Sequence, residues 1–147
     1  MFTIVSGLTF DEIAEGREIG FDQVISTAEI DAFATLSGDV SPLHMSDEFA
    51  RSRGLPSRVA HGALLTAYAS RLFGVHLPGR DCLLQSLSMR YLLPVHAGDR
   101  LRFATRVGQK AEAVRALTMD VTVTRSDGLV VARGKAQIGF TQEASAS

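Results

Sequence analysis

The hydrophobic pattern of the chain changes period near Gly79. Residues 61–73 read HGALLTAYASRLF and are apolar on nearly every side, which predicts a helix buried within the domain. Small residues recur along this helix at helical spacing, so it can lie close against a sheet or a ligand. Beyond Gly79, apolar and polar residues alternate with a period of two, which is typical of strands with one buried face. The predicted strands cover residues 83–93, 101–107, 117–124 and 130–140.

The first half of the chain begins with one strand signal and continues with helix signals. A weak alternation over residues 20–25 predicts a strand that leads into a helix. Ser26 and Glu29 then have the spacing of a capping box, in which each residue hydrogen-bonds the backbone of the other. An apolar face follows and ends at Gly38, so we predict one short amphipathic helix.

The segment after this helix is dense in turn-forming residues. Residues 37–44 read SGDVSPLH, and Pro42 prevents a helix from running through them, so we predict a surface loop. Residues 46–51 carry the signals of a second short, capped helix. A strand, helical pieces, one long helix and then an antiparallel meander with a Ser126-Asp127-Gly128 hairpin turn predict an α+β fold. We expect one sheet wrapped on one helix.

Composition and charge exclude several classes of protein. A chain of 147 residues fits one domain, which we place at residues 1–141 with a disordered tail at 142–147. Its 15 basic and 16 acidic residues give a net charge of −1, so no overall field attracts nucleic acid or an anionic membrane. The N-terminus lacks the positive region of a signal peptide, and no apolar run reaches the roughly 18 residues of a spanning helix. We expect neither a nucleic-acid nor a membrane partner.

Cysteine usage limits the redox and metal chemistry. Cys82 is the only cysteine, which excludes an intramolecular disulfide and a multi-cysteine zinc or iron–sulfur site. A reducing cytoplasm fits this usage best. The spacing of Asp39, His44 and His61 matches no zinc rule, so we expect no metal.

A carboxylate and an imidazole lie five residues apart in the predicted loop. Asp39 and His44 are residue types that form a general acid/base pair near neutral pH. The alternative is structural, with Asp39 capping a turn and His44 lying on the surface. The spacing alone does not decide between the two interpretations.

The start of the long helix is a second candidate for chemistry. Its first N–H groups and its dipole favour an anion, and Gly62 permits a close backbone approach to a developing oxyanion. Gly62 fits tight packing of the helix on a sheet equally well. We expect His61 to be a satisfied structural histidine and Ser70, about two turns further along, to be a small polar packing residue.

Four segments of the chain match the motifs of a known family in order. They read FATLSGDVSPLH at 33–44, EFA at 48–50, VAHGAL at 59–64 and LPVHAGD at 93–99. Together they resemble the MaoC-like (R)-specific enoyl-CoA hydratases and dehydratases, with similarity over roughly residues 16–140. The resemblance implies a hotdog fold, in which a curved antiparallel sheet wraps a central helix.

The resemblance also implies an activity and roles for individual residues. It implies an enzyme that adds water reversibly to a trans-2-enoyl-CoA to give a 3-hydroxyacyl-CoA. Asp39 and His44 match the family's catalytic pair, and Gly62 matches its oxyanion-hole N–H. Ser70 matches a serine found near the active site in some members. Ser41 stands where the family loop usually has Asn, and a hydroxyl lacks the reach and second donor of an amide.

The implied substrate sets expectations for cofactors and partners. Coenzyme A enters as part of the substrate, and no separate cofactor is expected. We assign Ser41, Ser70 and Arg90 to substrate binding. Arg90 is included because guanidinium groups suit phosphate geometry, although a solvated strand face explains it as well. Family members of this size are usually homodimers with the acyl pocket near the interface, so we expect a homodimer or a higher homo-oligomer. The alternatives are a hotdog acyl-CoA thioesterase and a non-catalytic acyl-CoA-binding module.

Overall fold

The computed structural model describes residues 3–145, within which five strands form one antiparallel sheet. The strands are paired in the order β1-β3-β4-β5-β2, so β1 and β2 are the edges. Residues 141–145 follow the last strand without regular structure, and residues 146 and 147 of the predicted tail lie outside the described residues. The strands are β1 (Glu18–Val24), β2 (Cys82–Tyr91), β3 (Arg100–Ala111), β4 (Ala116–Arg125) and β5 (Val130–Phe140).

Only β3, β4 and β5 form a meander, because β2 pairs with β5, so the prediction that all the strands after the long helix form one meander is wrong for β2. The helices lie between β1 and β2 along the chain. They are α1 (Thr27–Ser37), α2 (Pro42–Met45), α3 (Asp47–Ser52) and α4 (Gly62–Arg71), and a π-type turn extends α4 through Leu72–His76. The curved sheet packs around α4, which is the hotdog arrangement that the family resemblance implies. In the described part of the chain, no helix is long and apolar enough to cross a membrane.

Period-two alternation puts one face of the sheet into the core. In β3, Leu101, Phe103 and Val107 are buried, and the arginines between them are exposed, as the pattern predicts. The apolar residues of β4 are buried in the same way, and Leu64 and Phe73 of the central helical segment pack against this face. Removal of this apolar surface from water is the main stabilising contribution, at about 25 cal/mol per Å². The core therefore fixes the position of α4 against the sheet.

The central helix is buried on one face only, so the prediction of burial on nearly every side is wrong. Leu64, Leu65 and Ala69 are buried, whereas Ala63 and Ala67 are exposed. Ser70 and Gly74 continue the exposed stripe. Because these exposed residues are small and weakly polar, hydropathy alone does not distinguish them from core positions.

The predicted loop at 37–44 also differs from the structure. Gly38 does end α1, with φ of 78°, but Pro42 begins the single helical turn of α2 instead of interrupting a coil. Proline is well suited to a first helical position because it lacks only an N–H that would have no acceptor there. The turn carries His44, whose side chain is 15% exposed, so His44 is not a surface histidine.

The predicted capping box at the start of α1 is confirmed. Ser26 Oγ accepts from the N–H of Glu29 at 3.1 Å, and Glu29 Oε2 accepts from the N–H of Ser26 at 2.6 Å. We expect Ser26→Ala to lower the free energy of unfolding by about 1 kcal/mol, because the Glu29 N–H loses its acceptor. Urea unfolding measures the change. Ser26→Asp, which keeps an acceptor, should stay within about 0.5 kcal/mol of the wild type, and equal losses in both variants would contradict the cap.

Glu29 makes part of this stability dependent on pH. Partial burial raises the pKa of Glu29, but hydrogen bonds from Tyr68 and Ser26 outweigh it and hold the pKa below the ordinary 4.5. The unfolded chain therefore binds the proton more readily, so this stabilisation is present above pH 4.5 and is lost as the pH falls further. We expect the stability difference between wild type and Glu29→Gln in urea to shrink on acidification. A difference that is constant or grows would contradict the assignment.

Candidate active site

Asp39 and His44 face each other where α1 is followed by α2. Asp39 Oδ2 lies 3.7 Å from His44 Nε2, and Asp39 Oδ1 accepts from the N–H of Ser41 at 3.3 Å. The first distance is too long for a direct hydrogen bond between the two side chains. The structure thus brings the two predicted residues together, close enough for one small polar molecule beside the two atoms to contact both.

The backbone contact of His44 indicates which ring nitrogen carries its proton. Nδ1 lies 2.7 Å from the carbonyl oxygen of Val59, and a carbonyl only accepts, so Nδ1 is the donor. In the neutral ring Nε2 is then an acceptor, and it faces the carboxylate of Asp39. Two acceptors across a short gap are suited to bind a donor such as water.

Hydrogen bonds from the segment 57–61 fix the position of α2, which carries His44. The N–H of Val59 donates to the carbonyl of Leu43 at 3.0 Å, and the N–H of Ala60 donates to that of Val95 at 2.7 Å. Arg58 adds a side-chain brace, since its Nε donates to the carbonyl of His44 at 2.5 Å. Its guanidinium also pairs with Asp31 of α1. These contacts tie α2 to both α1 and the segment that leads into α4.

Gly62 begins α4 beside the pair. The first N–H of a helix has no acceptor four residues earlier, so it remains available to a ligand. A Cβ on Gly62 would lie only 2.8 Å from Cε2 of Tyr91, whose hydroxyl shares a hydrogen bond of 2.5 Å with Thr66 Oγ1. The absence of a side chain at Gly62 is therefore required for close packing as well as compatible with an anion site.

A cavity of about 290 Å³ opens at this point. Larger grooves of about 470 and 600 Å³ lie elsewhere on the surface, but none of Asp39, His44 and Gly62 lines them. The smaller cavity joins His44 to the helix start at Gly62 and continues between apolar walls, which suits an acyl group with one polar end, and Asp39 is not among its lining residues. Its lining includes His44, Gly62, Leu65, Tyr91, Leu93 and Val95.

The other predicted site residues lie in different places. Ser41 contributes its backbone N–H to Asp39, and its exposed side chain makes no capping bond at the start of α2. Ser70 lies on the exposed stripe of α4, outside the lining of the cavity. Arg90 lies across from Arg133 in the register of β2 with β5. With Lys135 it lines an outer groove, on the face of β2 that Tyr91 does not occupy. Within this chain, Ser70 and Arg90 are not brought to the acid/base pair.

His61 is closer to the pair than the sequence indicated. It is 1% exposed, its ring stacks on that of His44 with centroids 3.8 Å apart, and its Nε2 lies 2.9 Å from the carbonyl oxygen of Asp39. Its Nδ1 has no hydrogen-bond partner among residues 3–145, so the prediction of a satisfied histidine is wrong for that atom. The sequence places His61 beside Gly62 but carries no signal of the stack on His44.

The three side chains at the pair are close enough to suggest a metal centre. Each of Asp39, His44 and His61 offers a ligand atom within 4.8 Å of the others. An imidazole binds a metal with a lone pair in its ring plane, whereas the two rings here lie face to face at an interplanar angle of 25°. Lone pairs in stacked planes do not converge on one ion, so the geometry disfavours metal chemistry at these residues.

Comparison with known proteins identifies the family. The model of the MaoC-like domain matches residues 10–128, which include the acid/base pair, Gly62 and the first four strands. The chain belongs to the MaoC-like domain family. The hotdog fold and the resemblance expected from the sequence motifs are both confirmed.

Relatives of this MaoC-like domain have similar lengths. An (R)-specific enoyl-CoA hydratase of Rhodospirillum rubrum is 30% identical over 129 residues, which are 88% of this chain and 89% of that protein. A 3-hydroxybutyryl-CoA dehydratase of Methylorubrum extorquens is 27% identical over 80% of this chain and 77% of its own length. The unliganded R-hydratase PhaJ1 of Pseudomonas aeruginosa superposes with a TM-score of 0.88 at 27% identity, covering 95% of this chain and 89% of that one.

Proposed function

We propose that this MaoC-like domain is an (R)-specific enoyl-CoA hydratase, which adds water reversibly to a trans-2-enoyl-CoA and equally dehydrates a 3-hydroxyacyl-CoA. The observation that carries the proposal is the arrangement of Asp39 and His44 across a 3.7 Å gap beside the Gly62 helix start. The hydratases and dehydratases among the relatives support the same chemistry. Asp39, His44 and Gly62 are the proposed catalytic groups.

The acid/base pair supplies the proton chemistry. A water molecule beside the two atoms donates one hydrogen to Asp39 Oδ2 and one to His44 Nε2, because both atoms are acceptors. The pair removes one of these protons as the oxygen bonds to C3 of the enoyl group. The pair then gives a proton to C2 and returns to its starting state, so the sum of the steps is the addition of one water. Dehydration runs the same steps in reverse.

The helix start stabilises the charge that develops on the thioester. When oxygen adds to C3, electrons move through C2 to the thioester carbonyl and form an enolate oxyanion. The N–H of Gly62 donates to this oxygen, and the positive end of the α4 dipole adds to the effect. Single donors of this kind contribute about 3–4 kcal/mol to transition-state stabilisation.

Coenzyme A is proposed to enter as part of the substrate, with no separate cofactor. Arg90 and Ser70 lie outside the cavity of one chain, so any contact they make with substrate requires a pocket that the single chain does not form. We propose a homodimer in which a second copy covers the edge strand β2 and the exposed stripe of α4. Leu83 and Leu84 on β2 are 51% and 39% exposed, as an uncovered interface requires. Light scattering coupled to size exclusion tests the dimer.

The hydratase is tested by the absorbance of the conjugated enoyl thioester. Crotonyl-CoA and a longer trans-2-enoyl-CoA are each mixed with the protein, and a thiol reagent runs in parallel. Loss of conjugation without free thiol supports hydration. Release of thiol would instead identify an acyl-CoA thioesterase, and binding without turnover, unchanged in His44→Ala, would identify a non-catalytic acyl-CoA-binding module.

A further inference from the structure

His61 is buried between the three groups to which the proposed function assigns catalysis. It precedes Gly62 in the chain, its ring stacks on His44, and its Nε2 lies 2.9 Å from the main-chain carbonyl oxygen of Asp39. A side chain that is 1% exposed and polar needs compensating contacts, because burial removes its hydrogen bonds to water. The hydrogen bond of its side chain is to Asp39 and its ring stacks on His44, and both are proposed catalytic residues.

The hydrogen bond to Asp39 defines the state of the His61 ring. Since the carbonyl oxygen accepts, Nε2 carries a proton, and in the neutral ring Nδ1 is then an acceptor, with no partner among the described residues. This hydrogen bond joins residues 22 positions apart in sequence. It connects the backbone of Asp39 to the residue that precedes α4. The other hydrogen bonds of Asp39 are local: its carboxylate accepts from the N–H of Ser41, and its own N–H donates to Ser37 Oγ.

The stack on His44 fixes the second member of the pair. The centres of the His44 and His61 rings lie 3.8 Å apart at an interplanar angle of 25°, and the centre of the Phe33 ring lies 4.9 Å from that of His61 at 62°. His44 is therefore held by its Nδ1 bond to Val59 and by the flat face of His61. One residue thus contacts the main chain of the carboxylate and the ring of the imidazole.

We propose that His61 is a positioning residue, which sets the Asp39–His44 gap through its Nε2–H bond to the Asp39 carbonyl. The inference rests on the proposed hydratase function and assigns a role that goes beyond packing. Positioning acts on kcat, since an error of about 1 Å in a catalytic group costs on the order of 100-fold in rate. Substrate affinity depends on the cavity walls, which His61 does not line.

Two variants separate the hydrogen bond from the ring. His61→Phe keeps a flat ring for the stack but removes the donor, and His61→Gln carries an amide donor at a reach similar to Nε2. We expect His61→Phe to lower kcat for crotonyl-CoA by about 10-fold or more with KM within about 2-fold, and His61→Gln to stay within about 3-fold of the wild type. A kcat near wild type in His61→Phe, or equal losses in both variants, would overturn the proposal.

His76 provides a matched control. It also has a ring nitrogen that is buried and without a partner in the described part of the chain, but it packs against Phe21, away from the pair. His76→Phe is expected to keep kcat within about 2-fold, whatever its effect on thermal stability. A loss of kcat in His76→Phe as large as in His61→Phe would show that general loss of packing causes both, and would overturn the positioning role.

Amide hydrogen exchange gives a readout that is independent of turnover. The N–H of Ser41 is bonded to Asp39 Oδ1 and that of His44 to the carbonyl of Ser41. Both should exchange faster in His61→Phe and at the wild-type rate in His61→Gln. Unchanged exchange in His61→Phe would overturn the proposal. If the wild type hydrates no enoyl-CoA, the hydratase proposal fails, while exchange still tests how His61 holds Asp39.

Discussion

Asp39→Asn is expected to lower kcat by about 10³-fold, because the amide accepts no proton from the attacking water. The amide keeps a carbonyl oxygen for the N–H of Ser41, so the loop that carries it should keep its shape. The Asp39 side chain is 52% exposed, and the free energy of unfolding should change by less than about 0.5 kcal/mol. Steady-state kinetics with crotonyl-CoA and urea unfolding measure the two quantities.

Asp22→Asn is the matched control for this experiment. Asp22 is exposed on the edge strand β1 and pairs with Arg102, away from the cavity. Its kcat should stay within about 2-fold of the wild type, since exposed ion pairs contribute little. A residual kcat in Asp39→Asn of more than about a tenth of the wild type would remove Asp39 from the proton chemistry and with it the proposed mechanism.

The features that sequence predicts best depend on neighbouring residues. Ser26 and Glu29 are three positions apart, and the capping box needs nothing beyond that spacing. The alternation of Leu101, Phe103 and Val107 likewise follows from the two-residue period of a strand, since one face meets the core. The same two-residue period places the side chains of Arg90 and Tyr91 on opposite faces of β2. The alternation that predicts the strand therefore also predicts that Arg90 faces away from Tyr91.

Features that depend on distant residues are beyond such patterns. The contact of His61 with Asp39 spans 22 positions and arises only when α4 packs under the loop before α2. The burial of α4 on one face is similar, because the small residues Ala63 and Ala67 fit a core or an exposed stripe equally well. The family motifs predicted Asp39, His44 and Gly62 as site residues but not the distances between them. The tertiary structure shows which neighbouring residues contact them.

Gly62→Ala should have the second largest effect, with kcat/KM reduced by about 100-fold. Its Cβ would lie 2.8 Å from Cε2 and 2.9 Å from Cζ of Tyr91, closer than carbon atoms approach without displacement. The hydrogen bond between Tyr91 and Thr66 resists movement of the ring, so the helix start must move instead and the N–H leaves the oxyanion. Loss of one such donor costs about 10²–10³ in rate. Steady-state kinetics with enoyl-CoA measure the loss.

Two further variants show whether the clash causes this loss. Gly74→Ala lies on the exposed stripe of the same helical segment, where a Cβ meets nothing within 4 Å, so kcat/KM should stay within about 2-fold of the wild type. Tyr91→Leu in the Gly62→Ala background removes the ring atoms that meet the new Cβ, and should recover activity toward that of Tyr91→Leu alone. Full activity in Gly62→Ala itself would show that displacement of the N–H of residue 62 does not change the rate. That result would contradict the role of this N–H as a donor to the enolate.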